Sequence, residues 1–483
     1  MELRSGRRTG GPCGAWAMEL RSGRRIGSQS PHGDRRRCRP RRLPAGDGDG
    51  VDHISGLHDD QLLQVLARLR CARAAVRTGI LSRRWRGLWT RVPELYFESV
   101  APAAVEAVLA QVALPKLSRL GVDVPHDHSL SAAGVASLLR AAARLDPVVF
   151  TLAAYVDANY RYVAVEVPSF LRATSISLAV HNLCVSSTAP GGGFPALERL
   201  YVAHCCFDAV ALISRCPCLR LLDMRHCWGS DTIMVHSRSI EELVIEEGVT
   251  DVDINAPMLK KFNLRAALCP DFSMSLSAPM VDNHSWDCSF GRAPVNLAID
   301  GVWCLRHLKL WTKESSRVLN LFIRRPVFSE RLERSLQEMF PLPKFSVLEL
   351  YLVTRGHVYG AMVLNLLHKC NAIQKLKMII VEDEWPYEAC PPNCDCDQPQ
   401  NWRSQNFSLR GPKELKIKNF KGSGHEVDFL KLIFRCTPVT KVVVKLASKV
   451  SPSSSGCKEV YNIFKENPYV ESHVYRKRGK EVI

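Results

Sequence analysis

The chain has no long hydrophobic run. Its longest apolar stretches, such as 439–444 with its polar interruptions, fall far short of the roughly 20 residues that a membrane-spanning helix needs. The Arg-rich first residues lead into no apolar stretch, so no secretory leader is expected there. Acidic residues are in deficit, 48 against 65 Lys and Arg, which leaves a net charge of +17. Much of that excess lies in the first 45 residues, at Arg35-Arg36-Arg37, Arg39 and Arg41-Arg42. Basic charge invites a nucleic-acid reading. Aromatic residues do not interleave with these arginines, so stacking platforms are lacking and a solvated tail is the better reading. A nuclear-import reading of the cluster rests on charge alone.

Catalytic signatures are absent as well. There is no Gly-rich phosphate loop, no Gly-x-Ser-x-Gly elbow and no His-Glu-x-x-His helix. His204, His226 and His307 fall inside repeated strand-like phrases and read as surface or strand-end residues. The expectation is a non-enzyme with no catalytic residue and no cofactor. Cysteine is not scarce, at 18, but it is scattered through leucine-rich text and forms no compact disulfide framework. That pattern suits a reduced, intracellular protein in which thiols act as small hydrophobes.

A length of 483 residues suggests about two to four domains. Residues 1–50 are rich in Gly, Arg, Pro and Ser without an apolar period, and read as a disordered tail. The octet beginning at Met1 recurs at Met18 and carries no fold logic. From Val51 the text becomes helical. Asp59 is placed to cap a helix with apolar positions Leu62, Leu63, Val65, Leu66 and Leu69. A second helix is expected from about Ala72 to Thr78, with Val76 inward and Gly79 closing it. Ser82 would cap a third, bearing Trp85, Leu88 and Trp89 on one face. So small a module scarcely forms a self-sufficient core, and leaves apolar surface for a partner or for its own C-terminal neighbour.

Beyond Val100 a phrase recurs: Leu197–Val202, Leu219–Met224, Ile240–Ile245, Leu259–Leu264, Leu305–Leu310, Val347–Leu350, Ile373–Met378 and Leu415–Ile417. The early intervals, roughly 19 to 22 residues, match a leucine-rich-repeat period, and the later ones stretch as if insertions intervene. Each phrase supplies a strand that cannot bury its face alone, so neighbours stack into a solenoid.

These residues support a family resemblance. The run from Asp52 to Leu66 resembles an F-box opening, and Ala75 to Trp89 its second half, with the specific ending Leu81-Ser82-Arg83-Arg84-Trp85-Arg86-Gly87-Leu88-Trp89. Residues 411–475 resemble an FBD domain, carried by Leu415-Lys416-Ile417, Phe420, Gly422, Glu426, Phe429-Leu430 and the strand 439–444. The resemblance to plant F-box/FBD/leucine-rich-repeat proteins covers about 420 residues. The implied fold class is α/β: a small three-helix F-box, then a leucine-rich-repeat solenoid, then a C-terminal FBD-like α/β cap. The expected domains are a tail at 1–50, an F-box at 51–95, repeats at 96–385, a Cys/Pro-rich insertion at 386–410, an FBD-like domain at 411–475 and a basic tail at 476–483.

The family implies an adaptor of a Skp-cullin-F-box ubiquitin ligase, active in the nucleus or cytoplasm. It would dock a Skp-family adaptor, and through it a cullin and a RING subunit, and would hold a target protein on its repeats. Carried onto this chain, the docking surface is Leu57, Leu62, Leu66, Val76, Leu81, Trp85, Leu88 and Trp89, shared between the partner and the module's own core. Charged residues at Leu62 and Leu66 are expected to abolish capture. The family's usual prolines are replaced by His58 and Arg70, Gln61 takes a place often apolar, and Gly79 replaces a common serine. Lost proline loosens the start of a helix, which opens an alternative reading as a binding scaffold without a ligase role.

Cys390, Cys394 and Cys396 stand together in the insertion. Zinc needs four ligands, and a fourth would have to come from elsewhere, with Cys370 and His368 as candidates. Paired Cys-x-x-Cys knuckles are lacking, so the expectation is no metal.

Overall fold

The computed structural model describes residues 54–476, apart from 70, 158–162, 187–192, 228–231, 248–250, 270, 291–294, 298–302, 314–315, 325–332, 335, 371, 383–389, 392, 399 and 405–410. The expected tail at 1–50, the repeated octet, Arg70 and residues 477–483 lie outside the described residues. Contacts divide the chain into residues 1–56, of which only an exposed turn at 54–56 is described, and residues 57–483.

The second unit is built on one ribbon of strands laid down in chain order. They are β1 (Glu94–Glu98), β2 (Arg119–Asp123), β3 (Val149–Tyr155), β4 (Ser175–Ser186), β5 (Arg199–Phe207), β6 (Leu221–Arg225), β7 (Glu242–Glu247), β8 (Lys261–Ala267), β9 (Asn283–Ser289), β10 (Cys304–Lys313), β11 (Ser316–Arg324), β12 (Val347–Val353), β13 (Lys375–Ile380), β14 (Glu414–Phe420), β15 (Lys441–Leu446) and β16 (Glu471–Tyr475). Pairing is parallel from β1 to β9 and again from β11 to β16.

The register explains why the phrases were legible. Leu95, Leu120, Phe150, Ile176, Leu200, Leu222, Leu243 and Phe262 sit opposite one another along the ribbon. Each is buried. Burying one such side chain contributes roughly 1.5–3 kcal/mol, and none could be buried by its own repeat alone. Alternation does the sorting. In β8, Phe262, Leu264 and Ala266 point inward while Lys261, Asn263 and Arg265 face out. The outward side chains pair across strands, as Lys261 with Glu242 at 3.3 Å and Arg265 with Glu246 at 3.1 Å.

One repeat phrase departs from expectation. The strand carrying Leu305–Leu310 is β10, which runs antiparallel to both neighbours. It is a reversed strand inserted between β9 and β11, and it lengthens the interval there. Alternation is the same for either direction, so the phrase could not reveal the reversal.

The other layer changes along the chain. After α1 (Asp59–Arg68) and α2 (Ala72–Arg77) of the N-terminal module, the returns between β1 and β3 are the helices α3 (Pro102–Ala110) and α4 (Ala132–Arg144). In the shorter middle repeats the return is a strand, and Thr232–His236, Asp251–Asn255 and Ser273–Ser277 form a small parallel sheet. Short helices stand at Ala209–Ser214 and Leu336–Met339, and longer ones follow as α5 (Gly360–Lys369), α6 (Gly424–Cys436) and α7 (Ser455–Glu466). The 411–475 segment therefore extends the same sheet through β14–β16, and does not begin a new one. Its signature residues hold it together. Buried Glu426 accepts the backbone N–H groups of Lys421 and Ser423, each at 3.0 Å. Gly422, at φ +74, lies so close to Gly456 of α7 that a side chain at Gly456 would overlap it.

Candidate functional site

The N-terminal module is two helices, α1 (Asp59–Arg68) and α2 (Ala72–Arg77), followed by 3-10 turns at Thr78–Ile80 and Leu88–Arg91. The expected third α-helix does not form. Gly87 adopts φ +83, a left-handed conformation that ends any right-handed helix through Trp85, Leu88 and Trp89. The cap of α1 is His58, one residue before the expected Asp59. Its backbone N–H donates to Gln61 Oε1 at 3.0 Å. A proline at 58 would have no such donor, so His58 and Gln61, two departures from the family pattern, work as one device. The start of α1 is held by a capping interaction where a proline ring would preset the backbone.

Arg84 closes the module. Its guanidinium bonds Asp59 at 3.0 Å and also reaches the Leu57 carbonyl. The Arg84 of the specific motif is thus a clasp between the last segment and the start of α1. Beneath it Leu62, Leu66, Ala72, Ala75, Leu88 and Trp89 are buried. Val76, half-buried, packs against that core beside Ala72 and Ala75 of α2 and also lines a 420 Å³ groove with Phe97, Val100 and Val108 against the first repeat.

The docking list therefore divides. Leu62, Leu66, Leu88 and Trp89 belong to the core; Leu57, Val76 and Trp85 are half-buried; Leu81 is 67% exposed. Exposed beside it in sequence is Ile80 at 86%. On α1, Val65 and Leu69 are each 43% exposed and share a face at i, i+4 spacing. Reasoning from the motif missed Ile80, Val65 and Leu69. For Val65 and Leu69 the signal was present: the α1 segment has apolar residues at more positions than one helix stripe can bury.

The cysteine insertion also folds onto the solenoid. Cys390 Sγ lies 3.5 Å from Cys396 Sγ, and Cys394 Sγ lies 3.5 Å from His357 Nδ1. All four ligand atoms fall within 4.8 Å of one another. His357 stands in the turn after β12, where Arg355 (φ +50) and Gly356 (φ +79) are left-handed and the His357 N–H donates to the Thr354 carbonyl at 2.9 Å. The fourth member is thus His357; neither Cys370 nor His368 belongs to the cluster. His368 Nδ1 instead contacts the Leu364 carbonyl of its own helix at 3.1 Å. Burial holds the Cys396 thiol well above its ordinary pKa, while the Val358 backbone amide, hydrogen-bonded to it, acts in the opposite direction.

Of the repeat histidines, His226 follows the end of β6, while His204 lies within β5 and His307, exposed, within β10. His204 and His226 have φ of +59 and +49, and their rings stack with His181 and Tyr155 at centroid spacings of 4.0–5.1 Å. Burial, then the neighbouring histidines, push His181 down to about 4. The same causes lower His204. Among the described residues no helix is long and apolar enough to cross a membrane.

No family model matches the chain. F-box/LRR-repeat protein 25 of Arabidopsis thaliana is 24% identical over 183 residues, 36% of this chain and 68% of that protein. The FBD-associated F-box protein At5g56390 of the same plant is 24% identical over 231 residues, 44% of this chain and 49% of that one, so the chain spans about half of that relative's length. F-box protein At2g39415, also from Arabidopsis thaliana, is 33% identical over 86 residues, 16% of this chain and 71% of that protein. A mostly parallel repeat sheet behind a small helical module suits proteins so named, and the chain belongs to the plant F-box/FBD/leucine-rich-repeat family.

Proposed function

We propose that the chain is a non-catalytic adaptor of a Skp-cullin-F-box type ubiquitin ligase, acting in the nucleus or cytoplasm. The module spanning 51–95 docks a Skp-family adaptor, and through it a cullin, while the repeats hold a target protein. The carrying observation is the exposure of Ile80 and Leu81, with Val65 and Leu69, on a module whose Leu62, Leu66, Leu88 and Trp89 are packed. Apolar anchors that bring no charge into a desolvated patch are what an interface hot spot requires. Ubiquitin transfer would be done by partner enzymes, and this chain would raise the target's effective concentration near them. The 411–475 segment caps the solenoid as an FBD-like domain. Capture of a purified Skp-family adaptor by the full chain is the direct test. Failure to bind any such adaptor, with the chain folded, would favour the scaffold reading, in which the repeats bind a partner without recruiting a ligase.

A further inference from the structure

Four metal-ligand atoms from two distant chain segments converge beside α5. His357 comes from the turn after β12, and Cys390, Cys394 and Cys396 from the insertion. The four atoms lie within 4.8 Å of one another, and two of their separations have the length of an edge of a coordination shell. With Zn–S near 2.3 Å and Zn–N near 2.0–2.1 Å, tetrahedral geometry sets sulfur–sulfur edges of about 3.8 Å and sulfur–nitrogen edges of about 3.6 Å. Cys390–Cys396 and Cys394–His357 both measure 3.5 Å.

A disulfide reading fits less well. It requires sulfurs about 2.05 Å apart, and would leave a third thiol and the imidazole without a role. Simple packing of small hydrophobes accounts for buried Cys396 but not for an imidazole nitrogen turned to the Cys394 sulfur. The segment around these cysteines has little core of its own, with Cys396 and Trp402 its buried hydrophobic side chains among the described residues. Yet it packs against its neighbours. Trp402 lies over Gly360 so closely that a side chain there would overlap the ring. Its Nε1–H donates to Asp397 at 2.8 Å, and Arg403 bridges Asp397 and Asp428 of α6 at 2.8 Å each.

We propose that His357, Cys390, Cys394 and Cys396 bind one zinc ion in a closed structural site that fastens the 390–404 segment to the solenoid. Three thiolates and one imidazole are a known structural zinc set, and four protein ligands leave no open position for catalysis. The Val358 amide directed at Cys396 supplies an outer-shell hydrogen bond of the kind that orients a ligand. The ion would join β12, α5 and α6 through one segment.

The test uses the purified full chain, reduced and passed over a desalting column. Elemental analysis should find about one zinc per chain, and His357→Ala or Cys394→Ser should retain less than about a tenth of that under the same chelator competition. His357→Cys, which offers a fourth thiolate, should retain it. Because a variant could fail to fold, wild-type chain is also stripped with chelator and reloaded with zinc alone. Zinc should then protect Cys390, Cys394 and Cys396, but not exposed Cys218 and Cys269, from maleimide labelling read by mass spectrometry. Cobalt(II) should give the visible bands of a tetrahedral thiolate site. A folded chain that holds less than about a tenth of an equivalent of zinc and shows no protection on reloading overturns the proposal. So does a Cys390–Cys396 disulfide that persists in the folded chain under reducing conditions.

Discussion

Replacing Ile80 and Leu81 together with glutamate should abolish docking without unfolding the module. Both side chains are mostly in water, at 86% and 67% exposure, so the folded chain gives up little when they change. Exposed substitutions of this kind usually stay within about 0.5 kcal/mol. In a complex the balance reverses. Fully burying each residue contributes roughly 1.5–3 kcal/mol, and most of that area is still available to a partner here. Losing both removes about 2–5 kcal/mol after allowing for the part already covered, and a carboxylate forced into an apolar patch costs more. At 1.4 kcal/mol per tenfold, affinity should fall at least about 30-fold. Calorimetric titration with a purified Skp-family adaptor reads the affinity, and urea melts of the same samples read stability. Leu62→Glu is the contrasting variant. Leu62 is fully buried, so the charge lands in the module's core and capture fails through unfolding. Loss of capture at Leu62 or Leu66 is therefore no measure of the docking surface. If the Ile80/Leu81 double variant still binds within about threefold of wild type, these residues are not the anchors.

Gln61→Ala should cost about 0.5–1 kcal/mol in the wild-type background, by orphaning the His58 amide, and almost nothing after His58→Pro, which removes that donor; urea melts of all four chains close the cycle. Gly360→Ala should lower stability by roughly 1–3 kcal/mol, since the added methyl overlaps Trp402, and combining it with Trp402→Ala should recover part of the loss. His181 and His284 are both pushed down to about 4, chiefly by burial. The unfolded chain then takes up protons that the folded chain refuses, so stability is full above about pH 6.5 and is lost progressively as pH falls toward about 4. Thermal melts across that window should show the decline, and His181→Phe should make it shallower; an unchanged slope would remove His181 from the account.

The repeats were legible because their signal is local. A phrase such as Leu219–Met224 states its own alternation, and its recurrence states that a neighbour will share the burial. The reversed strand β10 was not legible, because alternation carries no direction and only pairing with β9 and β11 assigns it. The third helix of the N-terminal module was misread for a related reason. Trp85, Leu88 and Trp89 have helical spacing, but Gly87 between them is free to turn left-handed, and it does so. The docking list mixed core with surface because motif identity does not say which face of a short helix meets the rest of the fold.

The sequence by itself determined the repeated strands, the helical text after Val51 and the grouping of three cysteines. These follow from periodicity and composition over a few residues. Only the tertiary structure decided which apolar residues of the module stay exposed, since burial depends on what the first repeat and the Arg84 clasp cover. It also decided the fourth member of the cysteine cluster. His357 stands 37 positions before Cys394, and nothing local links them. The turn after β12 and the fold of the insertion bring them together, because contact between distant segments is set by the packing of the whole solenoid.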